Sequence, residues 1–511
     1  MHRQSALNPC TVLSVPQMRR VSALGIAFLT VAVAALFATS VPASSADVVV
    51  AVRADQALGP VRTHLATQFI WPGGLDRSAG ARARLSALAP PIIRINVTTD
   101  GYPGLPLVMP AGLTQGDWDF SNLDSMVGDA HDAGARVLIT IAYAPHWMWD
   151  CGTATLRDPT FAEFAAYAAR LVGYYNTGGF LAEDGRQVLN PAGTERRVMY
   201  WELWNEPDQS YSACPPSGGL TAEQYVRMWN AVGDAILAVD PAIKLVGPTT
   251  GGPVTTRVPD YLPALLAGAR HRPDVLSFHA YGGWLNTQTD RFLFDGDGMC
   301  CGLAAIDRGL AQVRSIAGET PIWITELNVN AAWDGDDPAA RPWTAYGAAW
   351  GASAFARFAR AGVDTVYQFQ FVHPRLLQFS LLDAAGTPLL PYWRDYYLTR
   401  HFPPGSVLLS ATSSHDEIEV LAARPPGSAN VRVLVVNRRV DSDTVGGPGS
   451  PATVQVTVSN LAPAMGVTLR IVDATTPLES GPALVSLPGG DAASVTLPGY
   501  GFALLEFVVG A

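Results

Sequence analysis

The sequence is very poor in lysine. Only Lys244 among its 34 basic residues is a lysine, so arginine supplies nearly all of the positive charge. Chemistry that needs a lysine amine, such as catalysis through a Schiff base, therefore has one candidate residue. Lys244 opens an apolar run, which in a parallel barrel places it at the end opposite the reacting groups. These two points argue against a Schiff-base enzyme.

Positive charge is scarce as well. Charged residues make up 15% of the chain and its formal net charge is −10. Residues 1–46 hold three arginines and no acidic residue, so the remainder is more acidic still. An acidic protein repels polyanions. We therefore expect no nucleic acid and no anionic membrane as a partner.

Cysteine is rare, with five in the chain. Cys10 lies in the N-terminal segment discussed below, which leaves an even number: Cys151, Cys214, Cys300 and Cys301. In an oxidising compartment these are expected to form disulfides. A bridge between Cys151 and Cys214 and a bridge between the adjacent Cys300 and Cys301 both remain open. No pair has the spacing of a zinc site, and no cofactor is expected.

One apolar run is long, that of residues 21–39. Arg19 and Arg20 precede it and small residues follow it up to Ala46, which is the pattern of an export signal over residues 1–46. Translation starting at Met18 would keep the same signal, and an uncleaved membrane anchor is the less favoured alternative. No later run is long enough to span a membrane. The sequence thus predicts a secreted protein without stable membrane association after cleavage.

A strand-then-helix rhythm fills the next part of the chain. Short apolar, β-branched runs occupy residues 64–70, 92–97, 136–142, 198–204, 243–247, 275–279, 321–325 and 363–371. Helical spacing of apolar residues predicts helices over 161–175, 222–239, 346–361 and 393–399. Eight such units predict a (β/α)8 TIM barrel, an α/β fold, over residues 47–400.

After about residue 400 the pattern changes to alternating strands separated by turn residues. The expected strands are 417–423, 431–437, 453–458, 467–472, 493–497 and 502–508. They predict a C-terminal antiparallel β-sandwich over residues 401–511. The run at 48–52 precedes the first barrel strand, and we expect it to join this sandwich.

Two strand ends carry a carboxylate. The segment Trp-Glu-Leu-Trp-Asn-Glu-Pro at 201–207 places Glu206 after the fourth run, and Trp-Ile-Thr-Glu-Leu-Asn at 323–328 places Glu326 after the seventh. Reacting groups of TIM barrels lie at the carboxyl ends of the strands. Two facing carboxyl groups are what cleavage of a glycosidic bond with retention needs, one as acid/base and one as nucleophile. We assign these roles to Glu206 and Glu326.

Glu202 is a competing acid, but it lies four residues deeper than Glu206. At about 3.3 Å per residue this is roughly 13 Å along the strand. We therefore interpret Glu202 as a barrel-interior acid paired with an arginine. Arg94 at the end of the second run is a candidate partner of Glu202, or alternatively holds Glu326 ionised.

Both motifs resemble the acid/base and nucleophile motifs of clan A glycoside hydrolases, and among these the chain is most similar to family 39, which joins such a barrel to a C-terminal β-sandwich. The resemblance implies that Asn205 binds the 2-hydroxyl of the sugar. It also implies that His279 and Tyr281, in Ser-Phe-His-Ala-Tyr at 277–281, line the site, with the tyrosine touching the nucleophile.

Aromatic residues complete the expected carbohydrate site. The segment Pro-His-Trp-Met-Trp at 145–149 is similar to a loop beside the catalytic centre of the family, which implies a sugar contact for His146. Trp147, Trp284 and Trp333 are candidates for stacking on sugar rings. The eighth run departs from the family because it lacks a tryptophan, for which Phe369 or Phe371 would substitute.

The sequence therefore predicts a secreted retaining glycoside hydrolase with a carbohydrate substrate, β-xylosidase-like or exopolysaccharide endoglycosidase-like. Two alternatives remain open. His146, His279 and His373 all follow strands and would form a metal centre if they converged, as in a metal-dependent barrel hydrolase. The other is a non-catalytic carbohydrate-binding barrel, which the intact carboxylates and Asn205 argue against.

Overall fold

The computed structural model describes residues 46–69, 78–97, 109–111, 114–150, 152–153, 155–209, 219–251, 254–296, 301–333, 335–441 and 443–510, with the backbone alone at 254–259. Except for Ala46, the expected signal segment lies outside these residues, as do Cys10, Cys151, Cys214 and Cys300. A search of the described helices for one long and apolar enough to cross a membrane finds none.

Eight parallel strands close into a barrel, as predicted. In chain order they are His64–Phe69, Ile92–Val97, Arg136–Ile141, Tyr200–Leu203, Lys244–Thr250, Val275–Gly283, Ile322–Asn330 and Thr365–Gln368. Each pairs with the next, and the eighth pairs with the first. The sixth and seventh strands are longer than predicted, so Glu326 lies within its strand rather than after it.

Helices connect the barrel strands. Those described are Ala79–Leu88, Ser121–Asp132, Ala162–Val172, Ala222–Val239, Val254–Gly268, Asp290–Asp295, Leu303–Ala317, Ala345–Ala361 and Leu390–His401. Thr221 caps the fourth of these through a capping box with Gln224, which confirms the predicted start. The predicted helix 161–175 is α-helical only over Ala162–Val172 and continues as a π-helix over Gly173–Thr177.

The barrel interior has an apolar layer below a polar one. The apolar layer takes residues from most of the strands: Ala66, Ile92, Leu138, Val246, Val275, Trp323 and Tyr367. Side chains two positions further along a strand point to the same side. Moving two residues toward the carboxyl ends therefore reaches buried polar residues such as Gln68, Arg94 and Thr140. The alternation of the strands thus places polar groups at one mouth of the barrel.

The C-terminal strands form one hydrogen-bonded sheet together with the first strand of the described chain. Its spatial order is Val485–Pro488, Ala464–Asp473, Gly501–Val509, Val431–Asn437, Ile418–Arg424, Val407–Ser413, Val48–Pro60, Ala452–Ser459 and Ala492–Leu497. The expected inclusion of residues 48–52 in this sheet is confirmed. This segment therefore belongs to the sheet and not to the barrel domain predicted for residues 47–400. The described pairings among the strands of residues 401–511 are antiparallel, as predicted. The added strand Val48–Pro60 makes the sheet mixed, because it runs parallel to Ala452–Ser459. The division into two packed sheets stays a prediction.

Ion pairs hold the sheet to the barrel helices. Glu419 of the sheet is buried and accepts hydrogen bonds from Arg357 and Arg360, both on the helix Ala345–Ala361. Residues 45–511 accordingly form a single unit.

Candidate active site

Glu206 follows the fourth barrel strand on a turn with an unusual backbone. Trp204 and Glu206 have positive φ angles of 72° and 46°, which cost free energy in residues other than glycine. Neighbouring strands hold the turn, because the amide of Trp204 donates to the carbonyl of Ile141 (3.1 Å) and that of Glu206 to the carbonyl of Thr249 (2.9 Å). The turn brings the Glu206 carboxylate against His279 of the sixth strand.

The two predicted carboxylates come together around His279. The register of the sixth and seventh strands sets Glu326 opposite His279. His279 Nδ1 lies 2.8 Å from Glu206 Oε1 and 3.4 Å from Glu326 Oε2. The three ligand atoms of this group all lie within 4.8 Å of one another. Both carboxylates are thus close enough to act on one carbon atom of a bound molecule.

Arg94 is fully buried and connects four side chains. Its guanidinium donates to Glu202 Oε2 (2.7 Å), Glu326 Oε1 (2.7 Å), Gln68 Oε1 (2.8 Å) and Asn205 Oδ1 (2.7 Å). The sequence left open whether Arg94 pairs with Glu202 or with Glu326, and in the structure it pairs with both. The guanidinium is planar and rigid, so one side chain fixes the relative positions of a deep acid and a site acid.

Charges in this cluster set the protonation states of its buried members. Burial by itself would raise the pKa of Glu202, but the Arg94 guanidinium, together with His279 and hydrogen bonds from Thr140 and Ser277, outweighs burial and lowers that pKa. Burial and the Glu326 carboxylate raise the pKa of Tyr281 well above its ordinary value. Tyr281 therefore keeps its proton, and its hydroxyl donates a hydrogen bond to Glu326 Oε2 at 2.7 Å. The predicted contact between this tyrosine and Glu326 is present.

His279 is the buried base between the two acids. Burial tends to lower its pKa, but the negative charges of Glu326 and then Glu206 outweigh burial, so the pKa lies above the ordinary histidine value. The ring is thus held in place by electrostatic attraction to both carboxylates. It is at once a hydrogen-bond partner of Glu206 and a charge partner of Glu326.

Asn205 lies beside Glu206 and is oriented from two sides. Arg94 donates to its Oδ1, and its Nδ2 donates to the Tyr143 hydroxyl at 3.1 Å. This fixes which end of the amide faces which neighbour. The sugar contact that the resemblance implies for Asn205 stays a prediction.

A cavity of about 330 Å³ opens beside the carboxylates. Its lining consists of Gln209, Gly251, His279, Tyr281, Gly283, Trp284, Cys301 and Ala331. Trp284 is 47% exposed, so part of this residue is accessible to a ligand. The structure thus brings Trp284 to the same cavity as His279 and Tyr281.

Phe369 follows the eighth barrel strand and packs into the same region. Its ring centroid lies 6.3 Å from that of Tyr281 and 5.7 Å from that of Trp333. Phe371, the other candidate for the missing tryptophan, is buried against Phe69 instead. Of the two phenylalanines, Phe369 is therefore the one beside the site.

The loop after the third barrel strand is less closely connected to the carboxylates. His146 begins the 3-10 turn His146–Met148 and is exposed. The Arg157 guanidinium lies 5.1 Å from the Trp147 ring centroid, which occupies one face of that ring. The described contacts join neither His146 nor Trp147 to Glu206 or Glu326. Their roles in sugar binding stay predictions.

The convergence of three histidines expected for a metal centre does not occur in the described part of the chain. The metal-ligating side chains that meet there are Glu206, His279 and Glu326, without His146 or His373. This group contains the two predicted catalytic carboxylates themselves.

His373 instead serves the fold, and this leads to a pH prediction. His373 Nδ1 accepts hydrogen bonds from the amides of Arg375 (3.0 Å) and Leu376 (2.8 Å), which requires an unprotonated nitrogen. Burial, and then the charge of Arg375, lower its pKa to about 3. The unfolded chain binds this proton below about pH 6.5, whereas the folded protein does not. Stability is therefore lost as pH falls, by about 2 kcal/mol between pH 6.5 and 5.

Chemical denaturation at pH 7 and at pH 5 measures this loss. Asparagine at position 373 offers an acceptor that does not titrate, so His373→Asn is expected to reduce the difference between the two pH values by about 2 kcal/mol. An unchanged pH dependence in the variant would show that other groups cause the loss.

Gly251 gives a second prediction, because it leaves room for the Glu206 side chain. A methyl group added at Gly251 would overlap the Glu206 carboxyl group. Gly251→Ala is therefore expected to displace Glu206 and to lower kcat/KM by about 100-fold. Gly233→Ala is the matched control, since a methyl group there meets its nearest neighbour at 3.5 Å. Equal activity of both variants would show that the position of Glu206 is not critical.

Several residues of the site were not predicted from the sequence. Gln68 contacts Arg94, Thr140 donates to Glu202 Oε2 (2.7 Å), and Tyr143 holds Asn205. Gln68 and Thr140 are polar residues within apolar strand runs, which is the signal that would have revealed them. Tyr143 and Gly251 carry no comparable signal, because their importance depends on residues far away in the sequence.

One cysteine is described, Cys301, and it is disulfide-bonded and buried at the cavity. The expectation of a disulfide is thereby confirmed for Cys301. Its pairing stays a prediction, because the other cysteines lie outside the described residues.

Several solved structures with the same fold match this chain over nearly its whole length. The GH39 enzyme from Xanthomonas axonopodis pv. citri superposes with a TM-score of 0.60 at 16% identity over 92% of this chain and 100% of its own. A monomeric β-xylosidase from Caulobacter crescentus CB15 gives 0.60 at 16% identity over 91% and 100%. A GH30 endoxylanase from Clostridium papyrosolvens C71 gives 0.57 at 14% identity over 90% and 100%.

The amino-acid sequence of the chain is less similar to known proteins than its fold is. No protein-family model matches it, and a search of curated proteins finds no significant match. The evidence from known proteins therefore concerns the fold. In that fold the chain is similar over nearly its whole length to clan A glycoside hydrolases, with enzymes of families 39 and 30 among its neighbours, as the two carboxylate motifs predicted.

Proposed function

We propose that the protein is a secreted glycoside hydrolase that cleaves O-glycosidic bonds with retention of configuration. The observation that carries the proposal is the spacing of Glu206 and Glu326, whose nearest ligand oxygens lie within 4.8 Å. Retaining glycosidases place their two carboxyl groups about 5 to 5.5 Å apart, whereas inverting enzymes leave about 6.5 to 9.5 Å for a water molecule. The observed spacing supports the first mechanism.

In the first step the Glu326 carboxylate attacks the anomeric carbon, and the bond from that carbon to the leaving oxygen breaks. Glu206 gives its proton to the leaving oxygen, which departs as an alcohol. A covalent ester between the sugar and Glu326 results, with inverted configuration. Glu206 is left as a carboxylate.

In the second step water attacks the anomeric carbon of the ester. The Glu206 carboxylate takes a proton from this water, and the bond between the sugar and Glu326 breaks. The second inversion restores the original configuration. Both carboxyl groups return to their starting states, so the cycle needs no metal ion or other cofactor.

The surroundings suit these two roles. Arg94 and Tyr281 each donate a hydrogen bond to Glu326, and these two charge-assisted bonds orient the carboxylate that attacks the anomeric carbon. Glu206 contacts His279 Nδ1 instead, at 2.8 Å. The two carboxyl groups thus have the unequal environments that unequal roles require.

The structural neighbours suggest the range of substrates to test. Their names include a β-xylosidase, an endoxylanase, a glucosidase and an arabinofuranosidase. We propose a β-xylosidase-like activity or an endoglycosidase-like activity on an exopolysaccharide. Export through the signal at residues 1–46 would give the enzyme access to such polymers, and N-terminal sequencing of the secreted protein tests that export.

The experiment is incubation of the purified protein with aryl glycosides and with plant and bacterial polysaccharides. Released sugar gives the substrate class, and proton NMR during the first minutes gives the anomer formed first. We expect that anomer to have the configuration of the substrate. Formation of the opposite anomer would exclude the ester intermediate on Glu326.

Two further outcomes address the alternatives. Activity that is lost on dialysis against a chelator and restored by a divalent ion would favour metal-dependent hydrolysis. Binding of a glycan in calorimetry without cleavage of any substrate would favour a non-catalytic barrel.

A further inference from the structure

Residues 284–289, called here the Trp284 loop, follow the sixth barrel strand and border the catalytic cavity. Gln288 folds back within the loop, because its Oε1 accepts hydrogen bonds from the amides of Trp284 (2.8 Å) and Leu285 (3.0 Å). The Trp284 backbone is thus tied to Gln288. Any contact that fixes the position of Gln288 therefore also restricts the position of the Trp284 indole ring.

Arg341 holds this loop by its carbonyl groups. The guanidinium is 1% exposed and donates to the carbonyls of Asn286 (2.7 Å) and Gln288 (2.6 Å). Its Nε donates to Asp337 Oδ2 at 2.7 Å. Arg341 thus forms hydrogen bonds with both the middle and the end of the Trp284 loop.

Asp290, the next residue after the loop, connects it to the nine-stranded sheet. Its buried carboxylate accepts hydrogen bonds from the amides of Gly446 (2.9 Å) and Gly447 (2.8 Å) and from Arg341 Nη1 (3.1 Å). Its own amide donates to the carbonyl of Thr444 at 2.7 Å. Residues 444–447 belong to the connection between the sheet strands Val431–Asn437 and Ala452–Ser459.

The turn at 444–447 is shaped for this contact. Gly446 has a φ angle of +76°, and a Cβ atom there would crowd Ala339, so glycine is the residue that fits. Two successive amides pointing at one carboxylate, together with a guanidinium, form charge-assisted hydrogen bonds away from water. Buried contacts of this kind contribute more to holding two segments together than exposed ion pairs do.

We propose that the sheet positions the substrate-binding face of the barrel, with Asp290 and Arg341 as positioning residues that hold Trp284 in the wall of the catalytic cavity. Neither residue touches the cluster of Glu206, His279 and Glu326 through any contact among the described residues. Their effect is exerted through the backbone of the Trp284 loop. The C-terminal sheet is thereby a part of the binding site and not only a support for the barrel. The kinetic part of the test rests on the proposed function.

Asp290→Asn is the central variant. It preserves the shape of the side chain but removes the charge. The NH2 group of the new side chain can then face a backbone N–H group of residues 446–447, and two donors cannot form a hydrogen bond with each other. We expect KM to rise about tenfold and kcat to stay within about twofold, since Trp284 binds a part of the substrate that does not react. Trp284→Ala should give a similar rise. The double variant should show no further rise, because both changes remove one interaction.

Glu419→Gln is the matched control. Glu419 is also a buried carboxylate that joins the sheet to barrel arginines, but its partners lie on the helix Ala345–Ala361. Its replacement should lower thermal stability and leave KM unchanged. If Glu419→Gln raises KM as much as Asp290→Asn, general loosening of the two parts explains the effect and the proposal is wrong.

A measurement without catalysis separates this proposal from the proposed function. Hydrogen exchange followed by mass spectrometry should show faster exchange of the Trp284 and Leu285 amides in Asp290→Asn, whether or not the protein cleaves any glycan. Unchanged exchange there, or additive effects of Asp290→Asn and Trp284→Ala on KM, would overturn the positioning role. If Asp290→Asn does not fold, Gly446→Ala tests the same contact, because its φ angle of +76° and the crowding of an added methyl group against Ala339 would displace the amide that donates to Asp290.

Discussion

Replacement of Glu326 by glutamine is expected to lower kcat by on the order of 10⁵-fold, because it removes the group that forms the covalent intermediate. The amide oxygen still accepts a hydrogen bond from Arg94, so the fold should persist. Initial rates on the best substrate of the panel measure the loss, and thermal unfolding checks the fold. Residual activity above one hundredth of the wild type would remove Glu326 as the nucleophile.

Glu206→Ala provides the internal comparison for that result. General acid catalysis contributes about 10²- to 10⁴-fold, and it matters most when the leaving group is a poor one. We therefore expect a large loss on a natural disaccharide and a small loss on an activated aryl glycoside. A variant of Glu326 should lose both activities equally. Identical profiles for the two variants would contradict the assignment of different roles.

Arg94→Met is expected to have the largest effect on stability. It leaves Glu202 without its guanidinium partner at 0% exposure, and removal of one member of a buried ion pair costs about 3 to 5 kcal/mol. Activity should fall as well, because Glu326 and Asn205 lose a shared donor. Urea denaturation measures the free energy of unfolding.

A second substitution tests whether the unpaired charge is the reason. Glu202→Gln in the Arg94→Met background removes the buried carboxylate, so much of the lost stability should return. Activity should not return, since Glu326 still lacks its arginine. A loss of less than about 1 kcal/mol in the single variant would mean that Glu202 is protonated or hydrated in the folded protein.

Much of the fold could be predicted because the barrel depends on local patterns. Each parallel strand is buried on both sides and is therefore a largely apolar run, and each intervening helix repeats apolar residues with its own period. The strand Ile92–Val97 has the predicted bounds. By contrast, the strand Val407–Ser413 was not predicted, because it mixes buried and exposed positions irregularly.

The acid residues of the site were predictable for a related reason. Glu206 follows one strand and Glu326 lies in the carboxyl-terminal half of another, both in motifs of unusual composition, and parallel strands bring such positions to one face of a barrel. The role of Arg94 was less predictable from the sequence. Its dual pairing depends on the distance across the barrel between side chains from different strands, and spacing along the chain does not contain that distance.

Periodicity, strand order and composition are sufficient to predict the eight-stranded barrel, the carboxylate pair at its mouth and the acidic character of the protein. Three features depend on the folded arrangement: one guanidinium serves both Glu202 and Glu326, Gly251 makes space for Glu206, and Asp290 joins the end of the Trp284 loop to the sheet. The reason is physical. Hydrogen bonds and steric fit act over a few ångströms between residues that are up to 232 positions apart in the chain.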